Sequence, residues 1–317
     1  MDALINHDTA TPVSSRANRS TVSVVIPTKN RKDQLRETIC SVRSQTVECE
    51  IIVIDDGSTD DTRQMVQTRF PEVRYEKHPE SCGPAMSRNR GAQIASGEIL
   101  ITLDDDCVLG RKDAVEICLR WFDSPEIAGV TLPFVNVRQD NVLRTAAPAT
   151  DQAYVTLEYF AGMVAFRRSV FLALGGYRTD YFMHYEEPDL AIRMLERGKL
   201  IRNGTVALVS HFESPKRDRE KLWRLGARNA ILYALLNVPL ILLPFYIVAT
   251  VTKTFLFALQ RGGARPAVQG FLEAIALGKR TLQNRNPISW KAYCIARRLK
   301  RRGPAPIDEI KGMFAHG

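Results

Sequence analysis

Ile99-Leu100-Ile101-Thr102-Leu103-Asp104-Asp105-Asp106 is the stretch from which the fold of this chain is read. Five residues of buried-strand character run directly into three carboxylates. A strand this apolar lies inside a sheet. Three adjacent aspartates resist burial, because each desolvated carboxylate needs a compensating partner. Both demands are met if the strand's C-terminal end opens into a cleft where a divalent cation offsets the repulsion. Hard oxygen ligands of this kind suit Mg²⁺ or Mn²⁺. The alternative is a solvated turn, since Asp is a favoured turn residue.

The preceding residues weigh against the turn. Residues 22–28 (VSVVIPT) read as a short buried strand closed by Pro27. The polar loop Thr28-Lys29-Asn30-Arg31 leads to a helix from Asp33 to about residue 44, with Leu35, Ile39 and Val42 facing inward. Ile51-Ile52-Val53-Ile54 is a second buried strand, ending in Asp55-Asp56-Gly57-Ser58-Thr59-Asp60-Asp61. A third strand at 73–75 and a helix at 87–95 follow. Alternating strand and helix is the pattern of a parallel α/β sheet. Ligands bind beyond the carboxyl ends of such strands, so two acidic strand ends converge on one crevice. No GxGxxG and no GxxxxGK[ST] occurs, so neither a dinucleotide fingerprint nor a P-loop accounts for that crevice.

A length of 317 residues, 45% apolar, allows one large or two modest domains with a full core. The cysteines (Cys40, Cys49, Cys82, Cys107, Cys118, Cys294) form no CxxC pair and no regular spacing. That speaks against a zinc site or disulfide framework and fits a reducing compartment. Residues 1–20 read as a loose polar tail rather than a secretory signal. The net charge of +9 is uneven: residues 261–302 hold eleven Lys or Arg against the single acid Glu273, a net +10 that leaves −1 for the rest.

Residues 229–252 carry no charge. About 20 apolar residues can span a bilayer, but Pro239 and Pro244 interrupt the run. A second apolar helix at 266–278 precedes the basic tail, where Trp290 and Tyr293 are candidate interface residues. Apolar helices flanked by Lys and Arg favour a membrane surface over nucleic acid. The reading is of helices in or on one leaflet, with a spanning hairpin, a buried subdomain or an oligomer interface as alternatives. The positive-inside rule then places the rest of the chain at the cytoplasmic face of the inner or plasma membrane.

VSVVIPTKNR (22–31), IVIDDGSTD (52–60), GPAMSRNRG (83–91) and LDDD (103–106), in this order and at these spacings, resemble the ordered motifs of family 2 glycosyltransferases over about residues 21–215. The resemblance implies a GT-A type, Rossmann-like nucleotide-diphospho-sugar transferase fold over residues 21–228. Its nucleotide-binding half would be 21–125 and its acceptor half 126–228, with a helical membrane-associating region at 229–317. It also implies a nucleotide-sugar donor and inversion at the anomeric carbon. By the same resemblance Pro27, Thr28 and Asn30 lie at the nucleotide. Asp56 pairs with the base, its carboxylate accepting an imide N–H as uracil or thymine offers; an Asx-type helix cap is the other reading, which Asp55 and Asp60 fit better. Arg88 and Asn89 approach the nucleotide and the metal loop. Arg88 either grips a phosphate or holds the fold by pairing with Asp104 or Asp56. Asp104 and Asp106 match the family's Asp-x-Asp: Asp106 binds the cation and Asp104 contacts the ribose or the metal through water. Asp105, grouped with the donor side, is expected to turn away and support the loop, and to matter least of the three.

In the second half, residues 160–167 resemble the family's small-residue segment beneath the donor sugar. Glu187 looks like the family's general base, with Glu186 as fallback; the usual pair there is Glu-Asp, and here it is Glu-Glu. Pro188 is expected to begin the helix that ends at Gly198, which leaves a helix-start acid as the other reading of Glu187. Asp189 would stabilise the helix start, and His184 would be a loop residue. His211 would reach the metal or diphosphate, and Arg217 and Arg219 would either close over the diphosphate or form a solvated charge run. The implied activity is inverting, Mg²⁺- or Mn²⁺-dependent hexosyl or deoxyhexosyl transfer in cell-surface polysaccharide synthesis. The donor would be of UDP, dTDP or GDP type and the acceptor a saccharide or polyisoprenyl-linked saccharide. A nucleotidyltransferase is the alternative enzyme, though residues 28–31 lack its glycines. A catalytically silent nucleotide-sugar-binding scaffold is the non-enzyme reading. The sugar itself is not legible, because donor and acceptor choice rest on pocket shape and on loops 136–152 and 177–186.

Overall fold

The computed structural model describes residues 21–213 and 218–315. The expected tail at 1–20 and Arg217 lie outside the described residues. Strand and helix alternate through β1 (Val22–Thr28), α1 (Lys32–Arg43), β2 (Cys49–Asp55), α2 (Thr62–Arg69), β3 (Arg74–Lys77), α3 (Pro84–Ile94) and β4 (Ile99–Leu103). Shorter elements follow: β5 (Cys107–Leu109), α4 (Ala114–Arg120), β6 (Ile127–Thr131), β7 (Phe134–Asn136), β8 (Leu143–Arg144), β9 (Tyr154–Thr156), β10 (Met163–Arg167), α5 (Arg168–Ala173), α6 (Glu186–Glu196), β11 (Leu200–Arg202) and β12 (Val209–His211). The C-terminal part comprises α7 (Arg219–Asn237), α8 (Leu243–Gln260), α9 (Ala264–Gln283), α10 (Trp290–Arg302), β13 (Ala305–Pro306) and α11 (Ile307–Ala315).

The main sheet has the order β13-β9-β11-β6-β10-β4-β1-β2-β3. Strands β4, β1, β2 and β3 are mutually parallel, and β10 runs antiparallel to both β4 and β6. Val22 to Ile26 are buried because the two faces of β1 feed different cores: Val24 and Ile26 one, Val25 the other. This is the continuous apolar run of a strand covered on both sides. The chain leaves β1 toward β2 and later returns to β4 on the other flank, so the order reverses between β1 and β4. A crevice opens at such a reversal, and Thr28, Asp56 and Asp104 stand at its rim. Gly91 sets α3 directly on β1: a Cβ there would lie 2.2 Å from Val25 Cγ1.

Several boundaries differ from the sequence reading. Helix α3 begins at Pro84 rather than 87, since Pro suits a first helical position. Helix α6 begins at Glu186, after Tyr185 in the left-handed conformation (φ 72°). Pro188 is therefore third in the helix, where an absent N–H costs nothing because the first turn's N–H groups have no helical partner anyway. Residues 136–152 are not uniformly irregular: β7 and β8 join β5 and β12 in a second sheet of order β5-β12-β7-β8. That sheet sets His211 beside Cys107. Helix α7 runs unbroken through residue 228, so the change of composition at 229 is no break in the chain. The C-terminal part also returns to the main sheet, where β13 pairs with β9.

Asp189 ties these parts together. Fully buried, it pairs with Arg178 Nη1 and Arg193 Nε, each at 2.8 Å. It also accepts from Tyr181 Oη at 3.0 Å and from Asn237 Nδ2 at 2.8 Å. One carboxylate thus joins α6, the loop before it and α7. Asp189→Ala strands two arginines facing a cavity, and is expected to cost about 3–5 kcal/mol of stability in urea unfolding; a loss below about 1 kcal/mol would contradict this.

Candidate active site

A cleft of about 760 Å³ opens at the C-terminal ends of β1 and β4, lined among others by Thr28, Asp56, Arg88, Asp106, Glu187 and His211. Its acidic floor is charge-balanced by named partners. Arg31 Nη1 bridges Asp105 Oδ1 at 3.0 Å and Asp106 Oδ2 at 2.9 Å. Thr28 Oγ1 donates to Asp105 Oδ2 at 2.8 Å, and Thr38 Oγ1 to the Asp105 carbonyl at 2.9 Å. The buried guanidinium of Arg88 donates through Nη2 to Asp104 Oδ1 at 2.5 Å. His211 Nε2 lies 3.4 Å from Asp106 Oδ1. Burial pushes the Asp105 carboxyl up to about 7, with Arg31 opposing the rise. Burial also works to raise Asp106, but His211 and Arg31 outweigh it and hold that carboxyl below its usual range.

Gly162 lets the floor form. An added Cβ there would sit 2.0 Å from Asp104 Cγ, and its carbonyl accepts the Asp104 N–H at 3.0 Å. The small-residue segment thus lies against the first aspartate of the motif. Phe160, 47% exposed, stands edge-on to Phe134 at 5.0 Å between ring centres and supplies an apolar wall.

Glu186 and Glu187 enter from the N-terminus of α6. Glu186 is buried, and its Oε2 has no hydrogen-bond partner among the described residues. Glu187 Oε1 accepts weakly from Ala161 N–H at 3.4 Å. Burial raises both carboxyls above the usual range; the charge of Glu187 adds to the rise at Glu186, while Arg88 opposes both. The preceding loop holds Phe182, His184 and Tyr185 at φ 63°, 66° and 72°, a conformation costly for non-glycine residues. Asn229 of α7 fastens it: its Nδ2 lies 2.9, 2.8 and 2.9 Å from the carbonyls of Tyr181, Met183 and His184. Arg228 Nη2 adds bonds to the carbonyls of Asp180 and Tyr181 at 3.1 and 2.9 Å.

The donor set accommodates a hard divalent cation. Ligand atoms of Asp106, Cys107 and His211 lie within 4.8 Å of one another. His211 Nδ1 is buried without a partner among the described residues. Burial and the adjacent aspartates hold the Cys107 thiol protonated, far above its usual range. That leaves a carboxylate and an imidazole as the ligands, a pair suited to Mn²⁺ and, through oxygen, to Mg²⁺.

Three expectations need correcting. Asn30 is turned off the cleft: in a left-handed conformation (φ 54°), its Oδ1 accepts Thr59 N–H at 2.7 Å and closes the turn after β2. Asn89 faces away as well, exchanging bonds of 2.7 and 2.8 Å with the Tyr177 backbone. Asp105 does turn into the loop, yet it is no bystander: buried, it holds Arg31 and Thr28 through its carboxylate and Thr38 through its carbonyl. Asp56 lines the cleft, and its oxygens hold Ser81 Oγ at 2.5 Å and the Cys82 N–H at 2.7 Å. Asp55 and Asp60 act as turn acids, bonding Ser58 N–H at 2.6 Å and Thr62 N–H at 3.2 Å. Arg219 is exposed at the start of α7, and His184 lines the cleft. Sequence reasoning missed Arg31, visible only as a cation one turn beyond a strand end. It also missed Asn229, whose signal was an amide inside an uncharged run.

A family model described as "Glycosyl transferase family 2" matches residues 23–179. Pre-mycofactocin glycosyltransferase of Mycobacterium tuberculosis (strain CDC 1551 / Oshkosh) is 30% identical over 228 residues, 67% of this chain and 46% of that protein. The chain spans about half the length of that relative. The O-antigen chain rhamnosyltransferase WbaN of Salmonella anatum is 25% identical over 66% of this chain and 72% of its own. Among solved structures, S. aureus TarS 1-349 in complex with UDP-GlcNAc superposes with a TM-score of 0.59 at 15% identity, covering 89% of this chain and 92% of that one. Mannosyltransferase PcManGT from Pyrobaculum calidifontis, in complex with GDP-Man and Mn²⁺, gives 0.55 at 21% over 89% and 80%. Residues 23–179 of this chain belong to glycosyl transferase family 2, and they are built on the GT-A fold.

Proposed function

We propose that the chain is an inverting, metal-dependent glycosyltransferase. It would move a hexose or deoxyhexose from a nucleotide-sugar to a saccharide or polyisoprenyl-linked saccharide of a cell-surface polysaccharide. The observation that carries this is the division of one cleft into two acidic ends. At the floor, Asp104, Asp105 and Asp106 are matched by Arg88, Arg31 and His211. At the wall, Glu186 and Glu187 are raised by burial toward the pH at which a carboxylate is an effective base. The O-antigen relative supports a saccharide acceptor. The neighbours hold a UDP-sugar in one case and a GDP-sugar in the other, so the base is left open.

In this reading Asp106 and His211 would hold the cation, and the aspartate floor, with Asp104, would face the diphosphate. A bound Mg²⁺ or Mn²⁺ would supply positive charge to the departing nucleoside diphosphate. Arg88 keeps Asp104 in place, and Arg31 is free to turn from Asp106 toward phosphate oxygens. The sugar would rest near Ala161 and Gly162, where the absent Gly162 side chain lets the Asp104 carboxyl lie against the backbone. Glu187 takes the proton from the acceptor hydroxyl as that oxygen attacks the anomeric carbon, with Glu186 as the alternative base. Bond making and breaking occur in one displacement, so no enzyme nucleophile is used.

Donor turnover by the purified chain with Mn²⁺ tests the assignment and separates it from a silent scaffold. Asp106→Ala and Glu187→Gln are each expected to lower transfer by about 10²–10⁴-fold; retention of activity within about twofold in both would refute the roles. The same pair gives a pH signature. A raised carboxyl keeps its proton in the folded state where the unfolded chain, near pH 4.3, has released it. The pair's contribution to stability is therefore present at low pH and lost as pH rises through the folded values. Glu187→Gln removes the like charge, so above pH 7 it should melt no lower than the parent while losing activity. A large drop in melting temperature would contradict this.

A further inference from the structure

We propose that the outward face of α8 and α9 is a docking surface for one leaflet of an anionic membrane. Ile241, in the turn just before α8, is 77% exposed, and Phe245, Val248 and Leu256 fall on one stripe of α8 and are 76, 67 and 51% exposed. In α9, Val268, Leu272 and Ile275 form a second stripe, 42, 61 and 74% exposed. The inner faces of these helices are already occupied. Ala227, Ala258 and Ala267 pack together, and Gly270 brings α9 so close to α7 that a Cβ would sit 2.1 Å from the Arg224 carbonyl. An apolar layer with a finished inner face and an open outer one needs a further partner.

Charge selects that partner. Lys253, Arg261, Arg265, Lys279 and Arg280 are exposed on the same two helices and the turn between them. The acid of this segment, Glu273, is consumed by Arg224 at 2.6 Å. A second copy of the chain would bring the same cations against these, which opposes self-pairing. Apolar stripes edged by Lys and Arg fit acyl chains beneath anionic headgroups. The layer lies on the leaflet rather than crossing it. Residues Leu240–Gln260 have the length and hydropathy of a span, but α8 is joined by Arg261-Gly262-Gly263 to α9. That helix carries Arg265, Lys279 and Arg280 and is pinned to α7 by the Arg224–Glu273 pair. Charges so distributed are costly across a bilayer.

The layer is rigidly tied to the cleft. Its inner helix α7 carries Asn229 and Arg228, which hold the 180–184 carbonyls, and Asn237, which bonds Asp189. Docking would therefore fix the orientation of the cleft over the membrane, as an acceptor anchored at the cytoplasmic face requires. The inference stands on the helices alone, so vesicle binding and donor turnover fail or succeed separately.

The full-length chain is mixed with preformed vesicles of phosphatidylcholine, with and without phosphatidylglycerol, and sedimented. Binding is expected with the anionic lipid, weakening at least tenfold without it or in molar salt. Phe245→Glu and Ile275→Glu, at exposed positions, should each weaken binding at least tenfold while melting temperature and donor affinity stay at parental values. Equal binding to both vesicle types, or binding unchanged in both variants, overturns the proposal. So does a dimer, found without lipid, that either variant converts to monomer, because the face then belongs to a second copy.

Discussion

The guanidinium of Arg31, shared between Asp105 and Asp106, makes the end of the parallel sheet tolerable for its acids. Three consecutive carboxylates at a buried strand end repel one another and lose water together. Arg31 answers two of them, Arg88 the third, and His211 leans on Asp106 from the second sheet. The arrangement dictates much else. Helix α1 must start where Arg31 can reach back, and α3 must lie tight on β1 to bury Arg88 beneath Asp104. The second sheet must place His211 beside Cys107.

Much of this architecture was legible in the sequence. Both faces of the parallel strands are buried, so they appear as unbroken apolar runs, and the acids mark their exits. Asp104, Asp106, Arg88, Glu186, Glu187 and His211 all reach one cleft, as their motifs implied. What stayed hidden depends on pairings across long stretches of chain. Arg31 meets Asp105 across 74 residues, and Asn229 meets Tyr181 across 48. Asn30 and Asn89 are placed at the nucleotide by the resemblance of their motifs. Each is instead consumed by a neighbouring backbone, a choice that local pattern cannot decide.

The C-terminal helices are packed into the structure of the cleft. Three left-handed residues in the 182–185 loop are held by an amide and a guanidinium from α7. The glutamates follow directly on that loop, and Asp189 clamps their helix to α7 from the other side. A strained loop persists only where its surroundings over-determine it. Here those surroundings belong to the helix that also underlies the exposed apolar layer.

The proposed chemistry places the leaving group at the aspartate end of one cleft and the base at its glutamate wall, with a single displacement between them. The anomeric configuration of the first-formed product tests this most directly. Proton NMR of the reaction with an α-linked nucleotide-sugar that the purified chain turns over should show a β-linked product from the earliest time points. An α-linked product at those points would contradict single displacement and the role given to the glutamate pair.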